Sequence, residues 1–213
     1  MQNLFSPDSL FMRAMSRVGD LLLLNLIFLL TCVPIVTIGA AVAAMYTVTF
    51  RFDTEKESSL IKSYFQAFRA DWKQATAMWL VLLLCGGSAC FNVFLFYSLS
   101  GTFHYAAILF ALLLVLVVLT AGYAFPLLSQ FQNSTMTTLK NAFALSLGFL
   151  PRSVLIAVLN LFPLIVFLAD MYLFFQTAFI WIALYFAAAS YLNSLLLKPV
   201  LGRFLDERKM QEC

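Results

Sequence analysis

The sequence predicts an all-α integral membrane protein with about five transmembrane helices, and the placement of its charges predicts it. No Lys, Arg, Asp or Glu lies between Lys73 and Lys140, or between Asp20 and Arg51, and Asp170 is the only charge between Arg152 and Lys198. The surface of a water-soluble domain needs charge over such lengths, whereas a bilayer excludes it, since about 20 consecutive apolar residues cross roughly 30 Å of hydrocarbon. Of the 213 residues, 63% are hydrophobic and 11% charged, so the spans consume nearly the whole chain and leave no room for a separate soluble catalytic domain.

Taken in order, residues 21–45 form the first predicted span, 75–96 the second, 105–127 the third, 154–174 the fourth and 178–197 the fifth. Their Leu/Phe/Val-rich interiors favour helices over barrel strands, which would alternate apolar and polar residues. Uncharged turns, Ser98-Leu99-Ser100-Gly101-Thr102 and the segment around Gln176, close two tight helical hairpins. The whole is one membrane domain, 1–213: an N-terminal amphipathic helix, first span and loop (1–57), a first hairpin unit (58–132), and a second hairpin unit with a short tail (133–213).

Basic residues orient the spans. Arg51, Lys56, Lys62, Arg69 and Lys73 precede the first hairpin, Lys140 and Arg152 separate the two, and Lys198, Arg203, Arg208 and Lys209 follow the second. That face is therefore expected in the cytoplasm together with the C-terminus. Five full spans put the N-terminus on the opposite face, where Arg13 and Arg17 mildly violate the rule. The alternative is a first segment broken at Pro34, which lacks a backbone donor, and at Gly39; a segment that dips in and returns keeps the N-terminus inside. The first 20 residues do not read as a cleaved signal peptide, because Asp8 and Asp20 flank Arg13 and Arg17 and the apolar stretch beyond is too long.

Three stretches read as amphipathic. Ile61, Tyr64, Phe65, Phe68 and Trp72 recur at helical spacing opposite Lys62, Gln66, Arg69 and Lys73. Leu139, Phe143, Leu147 and Leu150 repeat the pattern more weakly, and Ser6-Pro7 opens a helix before the first span. Such faces lie in the headgroup layer or dock a partner. The two hairpin units also resemble a parallel repeat: Gln66-Ala67-Phe68 corresponds to Asn141-Ala142-Phe143, and the segments at Pro126 and Pro199 share P-x-L-x-x-F.

Chemistry-bearing residues are few. Cys32, Cys85, Cys90 and Cys213 form no CxxC pair, and His104 is the only histidine, so no metal site and no disulfide framework is expected. No P-loop, HExxH, nucleophile elbow or paired carboxylate occurs, which points to a non-enzymatic protein without a cofactor. A net charge of +3 suggests no nucleic-acid partner. Polar groups inside spans remain as candidates: Asn25, Asn92, Asn160 and Asn193, read first as inter-helix hydrogen bonds, and Asp170, near an outer end. Gly86-Gly87-Ser88-Ala89 and Gly39-Ala40-Ala41 offer close helix contact, within the chain or in a homo-oligomer.

The first segment also carries a family resemblance. Asn25-Leu26-Ile27-Phe28-Leu29-Leu30, then Pro34-Ile35-Val36-Thr37-Ile38-Gly39 and Ala43-Ala44-Met45-Tyr46, resembles the YesL family, domain-of-unknown-function family 624. Phe65, Phe68 and Trp72-Lys73-Gln74 match its aromatic-basic helix, and Phe28 stands where the family often has Trp. The resemblance implies a bacterial plasma-membrane protein, often encoded beside carbohydrate ABC importers and glycoside hydrolases, with no established activity. The expected function is an accessory part in oligosaccharide import. Asn25, Pro34, Thr37, Gly39 and Tyr46 would form a structured break, and Phe65, Phe68, Trp72 and Lys73 a docking helix for importer subunits. The alternative is a small transporter or channel acting as an oligomer, with Asn25, Asn92, Asn160 and Asp170 along its path.

Overall fold

A computed structural model describes residues 10–52, 59–99, 104–131 and 133–212, with side chains from 15 to 202 apart from His104. The expected helix start at Ser6 and Pro7, most of the polar loop after Arg51 and the tip of the first hairpin lie outside the described residues. The helices are α1 (Leu10–Cys32), α2 (Ile38–Arg51), α3 (Leu60–Ser98), α4 (His104–Gln130), α5 (Thr135–Gly148), α6 (Leu150–Ala169), α7 (Met171–Gln176), α8 (Ala178–Ile180) and α9 (Phe186–Glu212). A 3-10 turn, Ile35–Thr37, joins α1 to α2, and a π-helical turn, Trp181–Tyr185, joins α8 to α9. No strand occurs among the described residues, and five helical stretches are long and apolar enough to cross a membrane.

The first segment is where the fold departs from a row of straight spans. Instead of one helix over residues 21–45, α1 stops at Cys32 and the chain reverses through Val33, Pro34 and the 3-10 turn. The reversal is an antiparallel hairpin: at the ends remote from the turn, the Arg17 guanidinium lies over the Phe52 ring, 5.3 Å from its centroid. Its tip rests against α3, where Trp79 Nε1 donates to the Ile35 carbonyl at 3.0 Å. From Trp79, α3 continues 19 residues to Ser98, about 28 Å at 1.5 Å per residue. The hairpin therefore ends well short of the far end of the bundle. The first segment thus takes the returning form rather than one continuous helix over 21–45, and Arg17 lies at the same end of the hairpin as Arg51; α1 is still among the five stretches long and apolar enough to cross a membrane.

Proline explains the break and hydroxyls make it tolerable. Pro34 has no N–H to give and keeps an extended ψ of 118°. The Thr37 hydroxyl sits 2.7 Å from the Thr31 carbonyl and 2.8 Å from that of Pro34, covering groups that lipid cannot satisfy. Thr31 in turn meets the Tyr64 hydroxyl at 2.6 Å, which ties the turn to α3.

The returning helix α2 is the centre of the molecule. Residues 39–41 and 43–50 are all buried, and its alanines let neighbours approach closely. Ala40, Ala43, Tyr46 and Phe50 pack with Met78 and Ala75 of α3, Tyr123 and Leu127 of α4, and Leu197 and Val200 of α9. Its other side, with Ala41, Ala44, Met45 and Val48, meets Leu24, Ile27 and Phe28 of α1. Gly39 has no room for a side chain, since an added Cβ would lie 2.6 Å from both the Ala75 carbonyl oxygen and Trp79 Cβ.

The two later units share an order of parts: an amphipathic stretch, a span, and a returning span with an internal proline, Pro126 in α4 and Pro199 in α9. They differ in two ways. In the first, the amphipathic stretch runs without a break into the span as α3; in the second, α5 is separated from α6 at Phe149, just before Pro151. The second hairpin is also not tight. Only Ser153 and Ile156 of α6 are buried, and α7, whose N-terminus Asp170 caps, is inserted before α8. The units meet at Gly122, where Ile156 Cγ2 comes within 2.9 Å of the position a Cβ would take.

Candidate functional site

The polar residues of the spans separate into three groups. Asn160, Asn193 and Tyr46 come together. Asn193 is fully buried on α9 and its Nδ2 donates to Asn160 Oδ1 at 2.8 Å and to the Tyr46 hydroxyl at 3.2 Å. Thr49 and Ser190 lie nearby, their hydroxyls 3.4 Å apart. Asn25 sits elsewhere, and Asn92 and Asp170 belong to neither place. Asn92 donates to Ser88 of its own helix at 2.8 Å, in the last third of α3. Asp170 is exposed, and its carboxylate accepts from Tyr172 N and Leu173 N as the cap of α7. Among the described residues, no hydrogen bond links Asn25, Asn92, Asn160 and Asp170, the residues read as a transport path, to one another.

Asn25 has a different task from any the sequence suggests. A π turn shifts the backbone pairing by one residue and leaves groups without their helical partners. Asn25 is fully buried in α1 and faces that turn. Its Nδ2 lies 3.2 Å from the Trp181 carbonyl and 2.6 Å from that of Ile182, and its Oδ1 accepts from Ala187 N at 2.9 Å. One side chain thus covers three backbone groups of another helix and fixes α1 to the α8–α9 junction. The π turn itself was missed, because no residue type announces one.

A cavity of about 390 Å³ opens between α2, α4, α6 and the start of α9. Val42, Trp79, Val118, Ala121, Phe125, Ala157 and Phe186 supply an apolar wall, and Tyr46, Asn160 and Ser190 a polar corner. No Lys, Arg, Asp or Glu among the described residues lines it. Asn160, halfway along α6, is exposed toward this space.

The predicted docking helix is the first part of α3. Phe65, Trp72 and Lys73 are exposed, and the Lys73 ammonium lies 6.0 Å from the Trp72 ring centroid. Phe68 is not part of that surface. It stacks on Tyr64 with centroids 6.4 Å apart and packs against both cores. A second cavity, of about 420 Å³, lies on the basic side between the end of α2, this stretch and the end of α4, with Thr47, Arg51, Ser63, Gln66 and Asp71 among its lining. Burial of Asp71 there pushes its carboxyl above the usual carboxylate range.

Among the described residues, no group of three His, Cys, Asp or Glu side chains is placed to hold a metal ion. Residues 21–93 match the model of a family described as Protein of unknown function, DUF624. The match covers the α1–α2 hairpin from Leu21 onward and most of α3, the segment that resembles the YesL family. No curated protein matches, and no solved structure does.

Proposed function

We propose that this chain, a multi-pass membrane protein with a DUF624 segment, is a non-enzymatic accessory component of carbohydrate uptake in the bacterial plasma membrane. Its basic face lies in the cytoplasm, and the Phe65, Trp72 and Lys73 surface of α3 seats against the membrane subunits of an ABC importer. The observation that carries the reading is the division of this stretch into two faces. Tyr64, Ala67 and Ala75 are buried in the cores, while Phe65, Trp72 and Lys73 are exposed at the margin of the span. Because α3 continues into the bilayer without a break, this aromatic-basic surface is held rigidly, and little entropy is lost when a partner takes hold of it. The importer as partner rests on the resemblance to the YesL family, whose members are often encoded beside such systems.

Two faces give two outcomes. Trp72→Ala should lower co-purification with importer subunits by about 2 kcal/mol, roughly thirtyfold, as a central aromatic anchor does, at normal abundance. Phe68→Ala should instead lower abundance and thermal stability, since it opens a hole between the cores. Normal co-purification and growth on complex glycans with Phe65→Ala and Trp72→Ala combined would reduce the surface to a membrane anchor.

Orientation is checked separately. In a background without the native cysteines, Ser98→Cys should react with an impermeant thiol reagent in intact cells. Ser134→Cys and Met15→Cys should react only after the membrane is opened. Labelling of Met15→Cys in intact cells would return the N-terminus to the outer face and contradict the hairpin.

A further inference from the structure

We infer that the 390 Å³ cavity between α2, α4, α6 and α9 is a binding site for a neutral amphiphile, an apolar chain bearing a hydroxyl group, which enters sideways from the bilayer. Its volume lies within the range of small-molecule sites. Three observations define the occupant. The wall is apolar and at the depth of the spans, which suits an acyl chain. Among the described residues no charged side chain lines it, so a phosphate or ammonium headgroup would be buried without a counter-charge, at large cost.

The third observation is the polar corner, where Tyr46, Asn160 and Ser190 line the cavity. Behind it, outside the lining, Asn193 Oδ1 is buried and has no partner among the described residues. Turning the amide round leaves the nitrogen unpaired instead, so the carboxamide is one bond short in either orientation. Asn160 carries this cluster to the cavity wall, because its Oδ1 accepts from Asn193 while the residue itself is exposed halfway along an apolar helix. A polar group left bare in lipid is costly. A hydroxyl both donates and accepts, so it complements an amide pair whichever way the amides point. The inference stands apart from the importer reading, which concerns another surface.

The test uses the full-length protein in lipid nanodiscs and a diacylglycerol with a diazirine in one acyl chain. Photolysis should label peptides holding residues 118–125 and 157–161. An excess of 1,2-dioctanoylglycerol should reduce that labelling about tenfold, the effect expected of one added hydrogen bond on an otherwise equal chain. Its 3-acetyl ester, without the hydroxyl, and dioctanoyl phosphatidic acid, with a charge, should each change it by less than about twofold. Ala157→Phe, which fills the cavity, should abolish the labelling, and Asn160→Leu should keep it but erase the preference for the free hydroxyl. Labelling spread over the lipid-facing outer parts of α3 and α4, or equal competition by all three compounds, overturns the proposal. If Asn160→Leu does not accumulate, the ranking of competitors on the wild-type protein decides alone.

Discussion

Gly39→Ala should destabilise the protein more than any other single-methyl addition at its described glycines. The added Cβ would sit 2.6 Å from the Ala75 carbonyl oxygen and 2.6 Å from Trp79 Cβ. Neither atom is the free end of a flexible side chain, so α2 and α3 must separate along a contact that runs through the central core. Overpacking of this kind costs about 1–3 kcal/mol, and parting the helices also lengthens the 3.0 Å bond from Trp79 to Ile35 that covers the turn. Gly39→Leu should prevent accumulation of folded protein altogether. Gly87→Ala is the matched control, with nothing within 4 Å of its added Cβ; as alanine is the better helix former by about 1 kcal/mol, its melting temperature should hold or rise. Equal melting temperatures for Gly39→Ala and wild type, followed by tryptophan fluorescence in micelles, would mean that the hairpin does not rest on α3 as described.

That contact shows how far the sequence could be read. The later spans were legible because a bilayer imposes length and excludes charge, and both constraints are visible in one dimension. Pro34 and Gly39 marked a break for the same reason. The direction of the chain after the break was not legible, since an apolar run from Leu21 to Phe50 reads alike whether it crosses or returns. The residues that settle it, Arg17 beside Phe52 and Trp79 beside Ile35, are distant pairs. The aromatic stretch of α3 was half legible. Phe65, Trp72 and Lys73 are exposed as expected, but an aromatic stripe holding Tyr64, Phe65 and Phe68 together is wider than one helix face. Tyr64 and Phe68 fell to the core, and periodicity alone does not say which part of a wide stripe the fold will cover. Asp170 does lie at the end of a span, as its position implied, but its role as the cap of a short helix was not legible, because that helix was hidden inside what read as the end of the fourth span.

Asn25→Leu tests the least legible feature, the clamp on the π turn. Leucine keeps the branched heavy-atom skeleton and removes both polar atoms, leaving the Trp181 and Ile182 carbonyls and the Ala187 N–H without the partner they have now. Each buried backbone group left unpaired costs about 1–3 kcal/mol. Single side-chain hydrogen bonds between membrane helices average only about 0.6 kcal/mol, because the alternative state finds other partners. The π geometry limits such partners here, since the groups have been displaced from their own helical ladder. We therefore expect a loss of about 2–4 kcal/mol, seen as a lower melting temperature and as proteolytic release of α1 from the rest of the bundle. A second variant makes the cause visible. A π turn amounts to one residue inserted into an α-helix, so deleting Ala183 restores regular pairing and supplies the Trp181 and Ile182 carbonyls from within their own helix. The deletion carries its own cost, because it rotates the residues before it, but a double-mutant cycle removes that term. Asn25→Leu should cost much less in the deletion background than in the wild type. An equal cost in both would show that Asn25 acts through packing alone, and the attachment of α1 would then depend on the Phe28–Phe186 contact, whose ring centroids lie 5.7 Å apart.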